Sequence, residues 1–153
     1  MPLQKTVNQK LAFGVVGSFY DDSPRRVDPY TVAGGAIGLF YTVDPADPSK
    51  VVLGGTGVLA GVAVNSKEYT ITGLDASLAF RAGDIAEICS MGRVIVKSTT
   101  AITVGNAAYY SKTTGEIQAA APSSTIEGFV EIPNSMFVLV GGTAGEVGVL
   151  QLG

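Results

Sequence analysis

No stretch of twelve residues in this chain combines helical periodicity with freedom from Gly and Pro. A helix interior tolerates neither well: Gly costs about 1 kcal/mol and Pro about 3 kcal/mol relative to Ala. The apolar residues instead recur at every second position or in short runs, which points to strands. The clearest instance lies between Gly83 and Gly115. There Ala86, Ile88, Ser90, Gly92, Val94 and Val96 share one face, and Glu87, Cys89, Met91, Arg93, Ile95 and Lys97 share the other. That alternation predicts a strand with a small apolar side inward and a mixed side outward. Gly92 interrupts it, as expected where a strand bends, bulges or lets another backbone approach. Val104-Gly105-Asn106 predicts a turn, Ala107 to Tyr110 a second strand and Lys112 to Gly115 another turn, leading into Glu116-Ile117-Gln118.

The same grammar governs the rest of the chain from Ala33 onward. Ala36 to Val43 and Gly57 to Val64 are apolar on both faces, as in strands buried on both sides. Asp44 to Ser49 reads as a loop and Gly54 to Gly57 as a tight turn. Tyr69 to Thr72 is a short β-branched strand, followed by a connection over residues 73–84. Ile126, Gly128, Val130 and Ile132 alternate with Glu127, Phe129 and Glu131 up to Pro133-Asn134. Met136 to Val140 and Glu146 to Leu152 supply two more strands around a glycine turn. Eight or more short strands with Gly-rich turns predict an all-β sandwich or barrel.

Residues 1–32 differ. Their apolar patches are short, follow neither period, and are broken by Pro24 and Pro29. This segment is expected to be an extended N-terminal arm with room for one short strand, ahead of a single all-β domain at 33–153. Within it Phe19, Tyr20, Arg25, Arg26 and Tyr30 cluster in the one stretch without sheet periodicity. Aromatic residues and Arg are enriched in interface hot spots, which makes these five candidates for partner contact. The competing reading is that the aromatics cap one end of the domain's own core.

Composition narrows the function. With 153 residues, the chain can bury roughly 70% of its unfolded surface without help from disulfides or metals. Cys89 is the sole cysteine and histidine is absent, which rules out an intramolecular disulfide and a Cys/His zinc site. The commonest general base at neutral pH is missing too. Ten basic and thirteen acidic residues give a net charge of −3, with no basic run longer than Arg25-Arg26, so nucleic acid is not an expected partner. No apolar run approaches the ~20 residues of a membrane-spanning helix, and no membrane partner is expected. The start, MPLQKTVNQK, has no apolar signal segment, so synthesis and retention in a cytoplasm are expected.

Candidate chemistry is thin. Gly54-Gly55-Thr56-Gly57 and Gly141-Gly142-Thr143 lack the Lys-Ser/Thr ending of a phosphate loop and read as hairpin turns. Asp21-Asp22 with Asp28, or Asp44 with Asp47, do not supply the ligand set of an EF-hand. Asp84, Glu87, Glu127 and Glu131 could pair as catalytic carboxylates, but nothing in the sequence sets two of them across a cleft. A serine nucleophile would lack histidine, and Cys89 reads as a packed thiol. No catalytic, metal or cofactor site is expected.

Several segments resemble the structural cement, or decoration, proteins of tailed-phage capsids. The most distinctive is MPLQKTVNQ…AFGVVGSFYDDSPRRVDPY, and GTGVLAGVAVNSKEY, AEICSMGRVIV and VGNAAYYSKTTGEI continue the likeness over most of the chain. The resemblance implies a non-enzymatic, jelly-roll-like β-sandwich that oligomerises on the outside of the virion shell. There it would bridge neighbouring major capsid subunits against the pressure of packaged DNA. The partners so implied are the major capsid protein and further copies of the chain, as a dimer in preference to a trimer. The family brings no catalytic residues to carry over. A carbohydrate- or receptor-binding β-module of a phage fibre or spike is the alternative, against which the absence of Trp weighs.

Overall fold

In a computed structural model, residues 14–65, 79–141 and 145–153 are described. The expected strand at Tyr69 to Thr72 and the first part of the arm lie outside them. The described residues form ten strands and no helix: β1 (Arg26–Val32), β2 (Phe40–Val43), β3 (Lys50–Leu53), β4 (Leu59–Val64), β5 (Ile85–Lys97), β6 (Ala107–Ser111), β7 (Ile117–Ala120), β8 (Phe129–Glu131), β9 (Met136–Gly141) and β10 (Val147–Leu152). The all-β expectation holds, and its form is a barrel. Strands pair in the order β1-β3-β2-β4-β5, and β1 also pairs with β5, which closes five staves into a ring. Closure removes the unpaired edges that a five-stranded sheet would expose. The segment Arg26–Val32, read from the sequence as the end of the arm, is one of these staves.

Two cores follow from strand alternation. Val32, Val51, Tyr41, Ala63, Ala86 and Ile88 form one cluster, to which every stave contributes, so it fills the barrel. Tyr41 is its largest member, and its hydroxyl donates to Gly34 O at 3.1 Å. The opposite faces of the same staves, with Phe40, Val62, Val64 and Cys89, belong to a second cluster. That outer core is completed by Ala108, Tyr110, Ile117 and Ala119 of the antiparallel sheet β7-β6-β8, and by Phe137, Leu150 and Leu152 of β9 and β10. The rings of Phe40 and Tyr110 stack across it, centroids 4.4 Å apart at 20°. The Tyr110 hydroxyl donates to Gly55 O at 3.2 Å.

The long strand β5 serves both cores, which corrects the single inward face expected for it. Arg26 stands opposite Met91 and Val27 opposite Cys89, so Ser90 is an extra residue on β5. One inserted residue exchanges the faces of everything beyond it. Ala86 and Ile88 therefore point into the barrel, whereas Val94 and Val96 point into the outer core. Gly92, at φ +136°, sits in the bend, where a Cβ would lie 3.0 Å from Arg25 Cβ. Beyond the bulge β5 pairs with β10, and β10 with β9, which forms the far edge of the sheet.

Candidate interaction site

Ahead of β1 the chain lies against the second half of β5. Gly17 N–H donates to Ile95 O (2.8 Å), Ile95 N–H to Ser18 O (3.0 Å) and Tyr20 N–H to Arg93 O (3.0 Å). Phe19 forms a β-bridge with Val94, and Asn65 N–H, just past β4, donates to Gly17 O at 2.9 Å. Gly17 adopts φ +86°, and a Cβ there would overlap the Ile37 side chain. Only glycine lets the chain lie this close. The backbone of residues 17–20 is thus held by the domain, and what it presents outward is a set of side chains.

Three contacts arrange them. The Arg25 guanidinium lies 4.3 Å from the centre of the Phe19 ring, a cation–π pair. Arg93 on β5 meets Asp21 at 3.1 Å, and its Nε donates to Gln151 Oε1 on β10 at 3.2 Å. Asp21 Oδ1 accepts the backbone N–H of Ser23 at 3.0 Å and also the Ser23 hydroxyl. The Ser23 bonds chiefly, and Arg93 after them, hold the Asp21 carboxyl below its ordinary value of 3.8. Beside these residues runs an open groove of about 990 Å³, lined by Phe19, Tyr20, Asp22, Arg25, Pro29 and Glu87 among others. It mixes apolar surface with both signs of charge.

Of the five residues singled out from the sequence, Phe19 and Arg25 are brought into direct contact. Tyr20 and Arg26 flank that pair along the chain, and both are exposed. Tyr30 stands apart. It lies on β1 opposite Ala86, half-buried and packed against the barrel core. Phe19 is also half-buried, against the outer core. Sequence reasoning missed Arg93 and Gln151, which fasten the segment from 72 and 130 positions beyond Asp21 (93 − 21 and 151 − 21). No local pattern marks a partner at that range.

Asp47, Glu131 and Cys89 among the other candidate groups have structural partners. Asp47 accepts from Ser49 N–H and hydroxyl and pairs with Lys50 at 3.2 Å, closing its own loop. Glu131 accepts Ser123 N–H, and Glu87 stands in the other sheet system, on β5. Cys89 is fully buried, and its thiol donates to Met91 O at 3.0 Å. Burial pushes that thiol up to about 11, so at neutral pH it carries no thiolate to attack with.

Comparison with known proteins places this architecture. A chain from the solved capsid of Myoviridae phage XM1 superposes with a TM-score of 0.68 at 18% identity, covering 99% of this chain and 98% of that one. The N base of head fiber gp8.5 of bacteriophage phi29 matches at a TM-score of 0.45 and 12% identity, over 85% of this chain and 95% of that one. No curated protein matches. Residues 3–153 match the family model described as structural cement protein (E217 gp24/Pam3 gp6). The chain therefore belongs to the phage structural cement protein family.

Proposed function

We propose that this protein coats the outside of a phage capsid and cements neighbouring major capsid subunits, without catalysing any reaction. The observation that carries the reading is the family match over residues 3–153. The physical arrangement is in keeping with it. A barrel closed by β1 and β5 is a rigid block; it holds the backbone at Tyr20 ahead of β1, carries Arg26 as the first residue of β1 and leaves Arg25 exposed between them. A fixed backbone spares the cost of ordering a loop, so aromatic and Arg side chains exposed on it lose only their own rotamer freedom on docking. The chain acts as an oligomer, a dimer before a trimer, so that each weak contact with a repeated lattice gains from avidity.

Cementing is tested by heating expanded, DNA-filled shells with and without the added protein. Decorated shells should hold their DNA at temperatures where bare shells release it; equal release from both would overturn the cementing role. The contact is tested with Tyr20→Ala and Arg26→Ala together. Loss of two exposed hot-spot side chains should weaken shell binding by about tenfold or more while leaving the barrel folded. Undiminished binding would remove this segment from the interface. The test uses substitutions because deleting residues 1–30 would also take most of the β1 stave.

A further inference from the structure

Beside the held segment 17–20, part of the barrel's outer wall is left open. Ala86 and Ile88 turn into the barrel, so Glu87 between them turns outward. It stands opposite Pro29 on β1 and opposite Val64 on β4. Val27 shares that outer face, and Asn65 follows Val64 at the end of the wall. The chain of residues 18–22 faces this wall, tied to it by the bond from Asn65 N–H to Gly17 O. Between the two lies the groove of about 990 Å³, large enough to take several side chains. β1 is a poor template for an added strand here, because Pro29 has no N–H and Arg26 and Asp28 charge its exposed part. Recognition in the groove therefore falls to side chains.

Two carboxylates in that groove have no internal counter-ion. The ion pairs among the described residues are Lys50–Asp47, Arg93–Asp21 and Lys97–Glu146. Asp22, exposed, and Glu87, half-buried, belong to none of them. The guanidinium that lines the groove, Arg25, lies over the Phe19 ring. With Asp21 neutralised by Arg93, Asp22 and Glu87 against Arg25 leave the groove negative. Docking would bury Glu87 further, which costs heavily unless the occupant brings it a cation. We infer that the groove receives a Lys- or Arg-bearing segment of a major capsid subunit. Its cation meets Glu87 and Asp22, and its apolar stem lies on Pro29 and Val27. A chain of net charge −3 with no basic run longer than two residues suits a basic partner. The inference rests on the capsid reading above and names the face the shell covers and the chemistry that meets it.

Binding of the full chain to undecorated, expanded phage capsids over a series of salt concentrations tests it. Glu87→Gln and Asp22→Asn together keep the shapes and remove the charges. The double variant should bind about tenfold more weakly or worse at low salt, with a shallower salt dependence than wild type. Glu127→Gln, which removes one charge ahead of β8, should bind as wild type does. The urea midpoint of the double variant should match wild type, because neither carboxylate has an internal partner; a lowered midpoint would overturn that premise. Wild-type binding with no loss in the double variant, a comparable loss in Glu127→Gln, or a loss with unchanged salt dependence would overturn the groove assignment and leave the capsid reading standing. No binding by wild type would remove the capsid reading and this inference with it. Self-association without shells that the same two substitutions abolish would give the groove to a second copy and overturn its assignment to the shell.

Discussion

Arg25 and Phe19 are six positions apart, yet their contact fixes how the segment between them leaves the domain. An exposed cation–π pair is worth about 0.5–1 kcal/mol. A double-mutant cycle with Phe19→Ala and Arg25→Ala, read by urea unfolding, should return a coupling energy of that size; strict additivity would show that the pair contributes nothing. At Cys89 the chemistry is inert, and pH reports it. Its thiol is raised from 9.0 to about 11 by burial, so above pH 9 the unfolded chain loses this proton before the native one does. Native stability from this group is present below pH 9 and is lost as pH rises towards 11. Tyr41, raised from 10.0 to about 12 by burial, extends the same fall to higher pH. The midpoint for thermal unfolding should drop steadily above pH 9, and Cys89→Ala should flatten the part between 9 and 11. An unchanged slope in that variant would refute the assignment.

At the scale of single strands, β5 explains most. Gly92 signals its irregularity in the sequence, and the bulge sits beside it at Ser90. The face exchange was not legible, because alternation reads straight through an inserted residue whose neighbours are apolar on both sides. Gly92→Val should destabilise by about 1–3 kcal/mol through strain at φ +136°, on top of the crowding against Arg25. A stability equal to wild type would mean that the bend does not depend on this backbone conformation. β3 escaped the sequence reading because Lys50–Leu53 is only four residues long and follows directly on the Asp44–Ser49 loop. β1 was hidden by Pro29, which sits in the strand although it cannot donate a backbone bond. With its strand taken for an arm, nothing in the sequence turned the Tyr30 ring towards the barrel core, against which it packs half-buried.

For the whole molecule, the all-β class was legible because it rests on local periods and turns. Barrel closure was not, because it depends on β1 meeting β5 across more than fifty residues, which no local pattern encodes. The outer core ties the barrel to the second sheet, with Phe40 and Tyr110 at its centre. Phe40→Ala should cost about 3–5 kcal/mol and shift one cooperative transition. Two separate transitions would mean that barrel and sheet fold independently. The claim that gives these parts a purpose is attachment to a shell, and co-sedimentation with undecorated, expanded phage capsids measures it. Saturable binding at a fixed ratio to the major capsid protein is the expected result. Folded protein left entirely in the supernatant would contradict it.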